Sequence, residues 1–458
     1  MIKFKSRQLS AFRPNCRTLT TINGEDHKQP IFRSNTTKEH CHEPPQSIPP
    51  VPRPAGRRSR LQLAATADEQ FSSLFTDAKP IFDLRYRYEH VDQDNSLSNA
   101  NAQTLRTRFG LQSGSWYGFS GLIEVDNVSR LGDAAYNSTR NGQSDHSTVV
   151  DPDGSEVNQA LLRYDHTLGS AVVGRQRINL DNQRFVGGVG WRQNEQTYDG
   201  MLGQLKPFDG LTLTYAYIDN INTIFGPDDN RYDNRSNPAN IEGHSHLINA
   251  QYVLMPELTV TAYSYLLGLD NIASSAAADF GTLSSKTHGL RLNGNLSGVS
   301  YALEYAQQRD YAGNPLELSS EYYLAELGYT LKGVALKGGM EILGGDSGPG
   351  NRAFQTPLAT KHAFQGWADN FLLTPETGIK DAYLGGSMPL LGGTLQAWYH
   401  DFRAERGSEQ YGTEIDVGYS RPVPLLKGLV ATVKYAAYDA DDNGVDTDKF
   451  WAQLQYSY

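Results

Sequence analysis

Residues 82–89, FDLRYRYE, alternate without a break: Phe82, Leu84, Tyr86 and Tyr88 fall on one side, Asp83, Arg85, Arg87 and Glu89 on the other. A β-strand turns successive side chains to opposite faces, so this spacing predicts a strand with one apolar and one charged face. Segments of roughly ten residues repeat the pattern to the C-terminus. Tyr117, Phe119, Ile123 and Val125 oppose Ser120, Glu124 and Asp126; Leu211, Leu213, Tyr215 and Tyr217 share a face; Val334, Leu336, Met340 and Ile342 oppose Lys337 and Glu341. About eighteen such segments can be read, from 81–90 through 170–177, 196–205, 334–343 and 428–438 to 448–458.

The connections sort the chain further. Those at 113–115, 167–169, 254–257, 297–298 and 332–333 are tight; those at 128–155, 178–195, 220–244, 269–284 and 344–378 are long, polar and rich in Gly, Asn and Asp. Alternating short and long connections belong to a transmembrane antiparallel β-barrel, with short periplasmic turns and long extracellular loops. The even strand number brings both ends to one side. The final strand, KFWAQLQYSY, ends on an aromatic residue, as outer-membrane barrels do where the insertion machinery reads them. The fold class expected is therefore all-β, a barrel spanning 81–458 in the outer membrane of a Gram-negative bacterium, with lipid as its surroundings.

Composition agrees. Hydrophobic residues make up only 38% of the 458, while there are 26 Tyr and 44 Gly. No apolar run approaches the ~18 residues of a membrane-spanning helix. The net charge of −10 argues against a nucleic-acid partner. Residues 1–60 hold 12 Lys/Arg and 4 Asp/Glu, a net of +8, which leaves −18 for the remainder. Both cysteines, Cys16 and Cys41, lie in this basic, Pro-rich stretch, so residues 1–67 read as a disordered tail. Ala65-Thr66-Ala67 before Asp68 has the small-x-small form of a signal-peptidase site, yet GRRSR stands where an apolar segment belongs. The tail is expected to be a corrupted or misassigned signal region, with 68–80 a short periplasmic lead-in.

A barrel of this size is too wide for side chains to fill, so its lumen holds water or inserted loops. Alternation places Arg85, Arg87, Arg106, Arg108, Arg163, Arg175, Arg177, Arg291, Lys337 and Lys434 inward, with Asp83, Glu124, Asp165, Asp199, Glu304, Glu326, Glu341, Asp381, Glu414 and Asp416. Basic residues crowd the early strands and acids the late ones, an arrangement suited to a transverse field. Two readings stand: a pore-lining anion path along Arg106, Arg108, Arg175, Arg177, Arg291 and Lys337, or mixed charges that pair and solvate one another. No GxSxG, no HExxH and no metal-spaced Cys/His set occurs in the barrel, so no catalytic group, metal or cofactor is expected.

The stretch 174-GRQRINLDNQRFVGGVGWRQN-194 resembles a motif of the alginate export family of outer-membrane barrels, through Gly174, Arg175, Gln176, Asn179, Asp181, Arg184, Phe185, Gly188, Trp191, Arg192 and Gln193. A second likeness lies in 354–385, carried by Phe354, Pro357, Leu358, His362, Gly366, Trp367, Ala368, Asp369, Pro375, Gly378 and Asp381. The resemblance implies an eighteen-stranded channel that passes polyuronate chains through an arginine-bearing lumen. It makes Asn179, Asp181, Arg184, Trp191, Arg192, His362, Trp367 and Asp369 candidates for a constriction or loop motif, with Arg184 and Arg192 for an anionic solute and Trp191 for a sugar face. The plainer reading is that these residues pin a loop to the wall. The cargo expected is an anionic or polar saccharide. A general or otherwise solute-specific diffusion porin is the alternative, and a barrel enzyme a remote one.

Overall fold

The computed structural model describes residues 67–227 and 235–458; residues 1–66, with Cys16, Cys41 and Ala65-Thr66 of the small-x-small site, lie outside the described residues. Eighteen antiparallel strands form one sheet that closes on itself. The first, β1 (Lys79–Gln93), pairs on one side with β2 (Ala100–Gln112) and on the other with β18 (Thr447–Ser457). Its register with β18 runs from Asp83 opposite Ser457 to Gln93 opposite Thr447. Closure leaves no strand edge without a partner, which hydrocarbon requires because lipid offers no hydrogen bonds.

The alternation works as the sequence predicts. In β3 (Phe119–Arg130), Phe119, Ile123 and Val125 are exposed while Glu124 and Asp126 are buried. In β13 (Val334–Leu343), Leu336 and Met340 face out and Glu341 lies within. The apolar outside is what lipid covers, and the interior carries the charge. Every second connection is short, as at 167–168 between β4 (Gly154–His166) and β5 (Gly169–Gln176); the long ones gather at the opposite end.

Three features depart from the sequence reading. The lead-in contains a helix, α1 (Ala67–Thr76), whose Phe71, Leu74 and Phe75 recur at i, i+3 and i+4. Its end is tied to the β2–β3 turn, where Ser73 Oγ donates to the Ser115 carbonyl at 2.8 Å. Second, Arg175 and Asp199 do not face the lumen. Arg175 shares a face of β5 with exposed Val173, and Asp199 shares one of β6 (Thr197–Leu205) with exposed Met201; the two pair across the strands at 2.7 Å on the outside. Arg177, of the same parity as Arg175, still reaches the lumen because β5 ends at Gln176 and the chain then bends inward. Third, the early arginines and late acids set up no bare field, because each group has a partner close by.

Two long connections, 177–196 and 344–378, turn into the barrel instead of away from it. They pair with each other: Val186 and Leu358 form a parallel bridge, Gly187 N donates to Leu358 O at 2.9 Å, and Thr360 N donates to Gln183 O at 3.0 Å. Phe185, Tyr263, Tyr265, Tyr322 and Phe354 pack around this seam with ring centroids 4.8 to 6.1 Å apart. The hydrophobic core of the molecule is thus built inside the barrel, between inserted loops and one arc of wall.

Candidate functional site

The two inserted loops meet at a neck in the lumen, and the neck is made of aromatic rings and cations. From the first loop, Trp191 lies flat on the His362 imidazole of the second, with centroids 4.5 Å apart and planes 2° from parallel. Lys434, from β17 (Leu429–Ala440), places its ammonium 4.2 Å from the Trp191 ring and 3.6 Å from that of Trp367. Trp451 of β18 closes the side, 6.0 Å from Trp191 and edge-on to it. A cation over an aromatic face is drawn to the negative charge of the ring, most strongly where water is excluded.

Charge is arranged in a connected set behind these rings. Lys434 Nζ donates to His362 Nε2 at 2.6 Å, and His362 Nδ1 meets Asp369 Oδ1 at 3.0 Å. Donation to Nε2 leaves the imidazole proton on Nδ1, which then points at the carboxylate. Burial and the Lys434 charge push the His362 pKa down to about 3, so the ring is neutral. Burial acts to raise the Asp369 pKa, but His362, Lys449 and Arg192 hold the carboxyl well below its usual range. Arg192 forks onto Glu89 at 2.9 and 3.3 Å and reaches Asp369 at 3.4 Å and Asp151 at 3.8 Å. His362 Nε2 thus faces an ammonium and not a hydroxyl.

The wall grips the first loop by its backbone. Arg85 donates to the carbonyls of Gly190, Trp191 and Arg192 at 3.0, 3.2 and 3.1 Å. Arg87 donates to Trp191 O at 2.5 Å and stacks its guanidinium 4.0 Å from the same indole. Arg184 anchors the seam by donating to Glu341 at 2.7 Å, Thr356 at 2.9 Å and Gln365 at 3.1 Å. On the second loop, Gly366 holds φ +77° and packs so close to Glu414 of β16 (Gln410–Pro422) that a Cβ would collide with its carboxylate. The Glu414 and Asp416 carboxylates in turn accept the N–H groups of Ala368 and Trp367, at 2.7 and 3.3 Å.

The other expected pore residues are engaged with carboxylates. Arg106 meets Asp83 at 2.6 Å, and Arg108 meets Asp126 at 2.6 Å and Glu195 at 2.5 Å. Arg177 pairs with Glu195 and Glu124, Arg291 with Glu304 at 2.5 Å, and Lys337 with Glu326 at 3.0 Å. Asn179 is exposed beside Gly188, and Asp181 accepts from Asn249 at 2.9 Å. Trp191, Arg192, His362, Trp367 and Asp369, taken from two motifs far apart in the chain, come together at the neck. Glu89, Asp151, Lys434, Lys449 and Trp451 belong to the same cluster and were not among the expected site residues. Parity alone marks most of them as lumenal, but nothing local gives their height along the barrel.

A cavity of about 610 Å³ lies on one side of the neck, lined by Trp191, Trp367, Trp398, Tyr383, Lys337, Lys434 and Gln396 among others. On the long-loop side a vestibule of about 700 Å³ has Arg192, Asp369 and Lys449 among its lining residues. His362 lines both.

Comparison with known proteins adds two findings. The family model described as "Alginate export" matches residues 81–357, more than half of the chain. No curated protein matches. Among solved structures the chain resembles Pseudomonas aeruginosa OccK3 (OpdO), at 17% identity and a TM-score of 0.62, over 85% of this chain and 97% of that one. It also resembles Acinetobacter baumannii OccAB4, at 15% identity and a TM-score of 0.63, over 83% and 98%. P. aeruginosa OpdL shares 19% identity at a TM-score of 0.60, over 84% and 99%. These likenesses speak for the fold.

Proposed function

The chain belongs to the alginate export family and is an outer-membrane channel, and from that premise we propose that its cargo is an anionic saccharide drawn past the Trp191–Trp367–Lys434 neck. The observation that carries this reading is the pairing of the Trp191 and Trp367 rings with the Lys434 ammonium where the two inserted loops meet in the lumen. The pyranose face of a sugar is apolar enough to stack on indole, and its hydroxyls and carboxylate need donors close by. Trp367 and Trp398, with Lys337, Lys434 and Gln396, supply both on one wall of the cavity beneath the neck. The arginines of the early strands meet the cargo, in this reading, only as members of ion pairs. Already paired, they hold the inserted loops in place and are not a bare anion ladder.

That same pairing favours a second reading, a diffusion porin indifferent to the charge of its solute. Planar-bilayer recording separates the two. A galacturonate trimer is expected to interrupt single-channel current at concentrations where a neutral glucose trimer does not. Equal effects of the two sugars would favour the general porin, and interruption by neither would leave no ground for a saccharide channel.

A further inference from the structure

Asp369 is the one carboxylate at the floor of the vestibule that the second inserted loop itself delivers to three nitrogen groups. Its Oδ1 lies 3.0 Å from His362 Nδ1; its Oδ2 lies 3.4 Å from Arg192 and 3.8 Å from the ammonium of Lys449. The two cationic contacts are long for charge-assisted hydrogen bonds, whose N–O distances fall near 2.7–2.9 Å. Arg192 spends its fork on Glu89 instead. Asp369 therefore sits in a cationic cradle without filling it closely. The loop reaches this seat through non-glycine residues in the left-handed region, Lys361 at φ +60°, Gln365 at +51° and Asp369 itself at +58°. Such conformations persist only where contacts hold them, so the seated loop depends on its anchors. The cradle faces the vestibule, and His362 faces both compartments.

We propose that Asp369 occupies a subsite for a carboxylate of the cargo, so that a uronate entering the vestibule replaces it on Arg192, Lys449 and His362 and releases the second loop from the neck. The proposal rests on the saccharide reading above and adds to it an internal competitor. The groups surrounding the exchange are Glu89 and Asp151, which keep Arg192 charged and oriented, and Lys434, which holds His362 from its far side. The incoming carboxylate brings the charge that Asp369 withdraws, so the cradle stays neutralised throughout.

Removing the competitor gives the test, in full-length protein reconstituted in planar bilayers with the galacturonate trimer as probe. Asp369→Ala is expected to raise the resting conductance and to lower the half-blocking concentration of the trimer about tenfold, since the binding-competent state no longer has to be won from the loop. Asp369→Asn, which keeps the side-chain volume, is expected to do the same in smaller measure and covers the case in which the alanine variant does not assemble. Adding Lys449→Gln to either should abolish the gain in trimer affinity, whereas a loop that had only been loosened would keep it. Unchanged conductance and half-blocking concentration in the Asp369 variants, with the wild type still preferring the charged trimer, would overturn the internal competitor and leave the cargo reading intact. Failure of the wild type to distinguish charged from neutral trimers would overturn both.

Discussion

Trp191→Leu asks how firmly the neck is held by its rings. The indole is stacked on His362 at 4.5 Å, with Arg87 at 4.0 Å and Lys434 at 4.2 Å from its centroid. A cation–π contact contributes about 0.5–1 kcal/mol in water and about 2 kcal/mol when desolvated. An aromatic pair adds about 0.5–1.5 kcal/mol. Taking about 1 kcal/mol for each of the three contacts gives about 3 kcal/mol, and leucine restores roughly a third of it by packing. A net loss of about 2 kcal/mol is roughly thirtyfold in the balance between seated and displaced loop. The change orphans nothing: the indole Nε1 has no hydrogen-bond partner, Arg87 keeps Gln453 and the residue 191 carbonyl, and Lys434 keeps Trp367 and His362. Single-channel recording should then show the ratio of low- to high-conductance occupancy lowered by about that thirtyfold factor. Dwell times and conductance equal to wild type would refute the view that ring contacts seat the loop.

Arg184→Ala removes a buried guanidinium from Glu341, a loss of about 3 kcal/mol at the low end for breaking such a pair, because Tyr322 and Gln365 still donate to the carboxylate. The thermal midpoint of the detergent-purified barrel should fall, and adding Glu341→Gln should recover part of it. Arg175→Ala, on the outer face, should leave conductance and ion selectivity unaltered in bilayer recordings; a change in either would return Arg175 to the pore. Glu195 gives a pH dependence. Burial acts to raise its pKa, but Arg177 and Arg108 overcome this and hold it at about 2. A depressed carboxylate contributes stability above its unfolded pKa, about 4.5, and that contribution is lost as pH falls toward about 2. Thermal midpoints measured across this range should fall with pH in the wild type and less steeply in Glu195→Gln.

How far the molecule can be read from its residues depends on the distance over which each feature is decided. Strand faces are decided locally, and Phe82, Leu84, Tyr86 and Tyr88 announce theirs. Parity fails one step beyond a strand end, which is why Arg175 and Arg177, two apart, lie on opposite sides of the wall. The helix at 67–76 carried a readable signal in Phe71, Leu74 and Phe75, but it is a single short stripe beside eighteen stronger ones. The inward turn of the two long loops was not legible. It follows from the bridge between Val186 and Leu358, a contact that exists only once the barrel has brought them together. Lys434 shows the same limit. Its position in VATVKYAAYDA gives its face, while its meeting with Trp191, Trp367 and His362 depends on strand stagger around the whole sheet.

The pairing of the lumenal charges bears on how such a channel can be both charged and passable. A free arginine ladder in a narrow lumen would hold a polyanion too tightly to release it, since conduction needs binding that is weak enough to leave. Here Arg106, Arg108, Arg177 and Arg291 each face a carboxylate of the protein itself. With the anionic cargo proposed above, an anion that reaches one of these pairs exchanges with a carboxylate of the same charge and does not meet a bare cation. The free-energy difference at each step is then a difference between two similar ion pairs, small compared with either. On this argument, converting Asp83 to Asn beside Arg106, or Glu304 to Gln beside Arg291, should slow passage of a charged trimer by lengthening its residence, although each change makes the lumen more positive. Faster transit in those variants would show that raw positive charge, and not exchange between matched pairs, sets the rate.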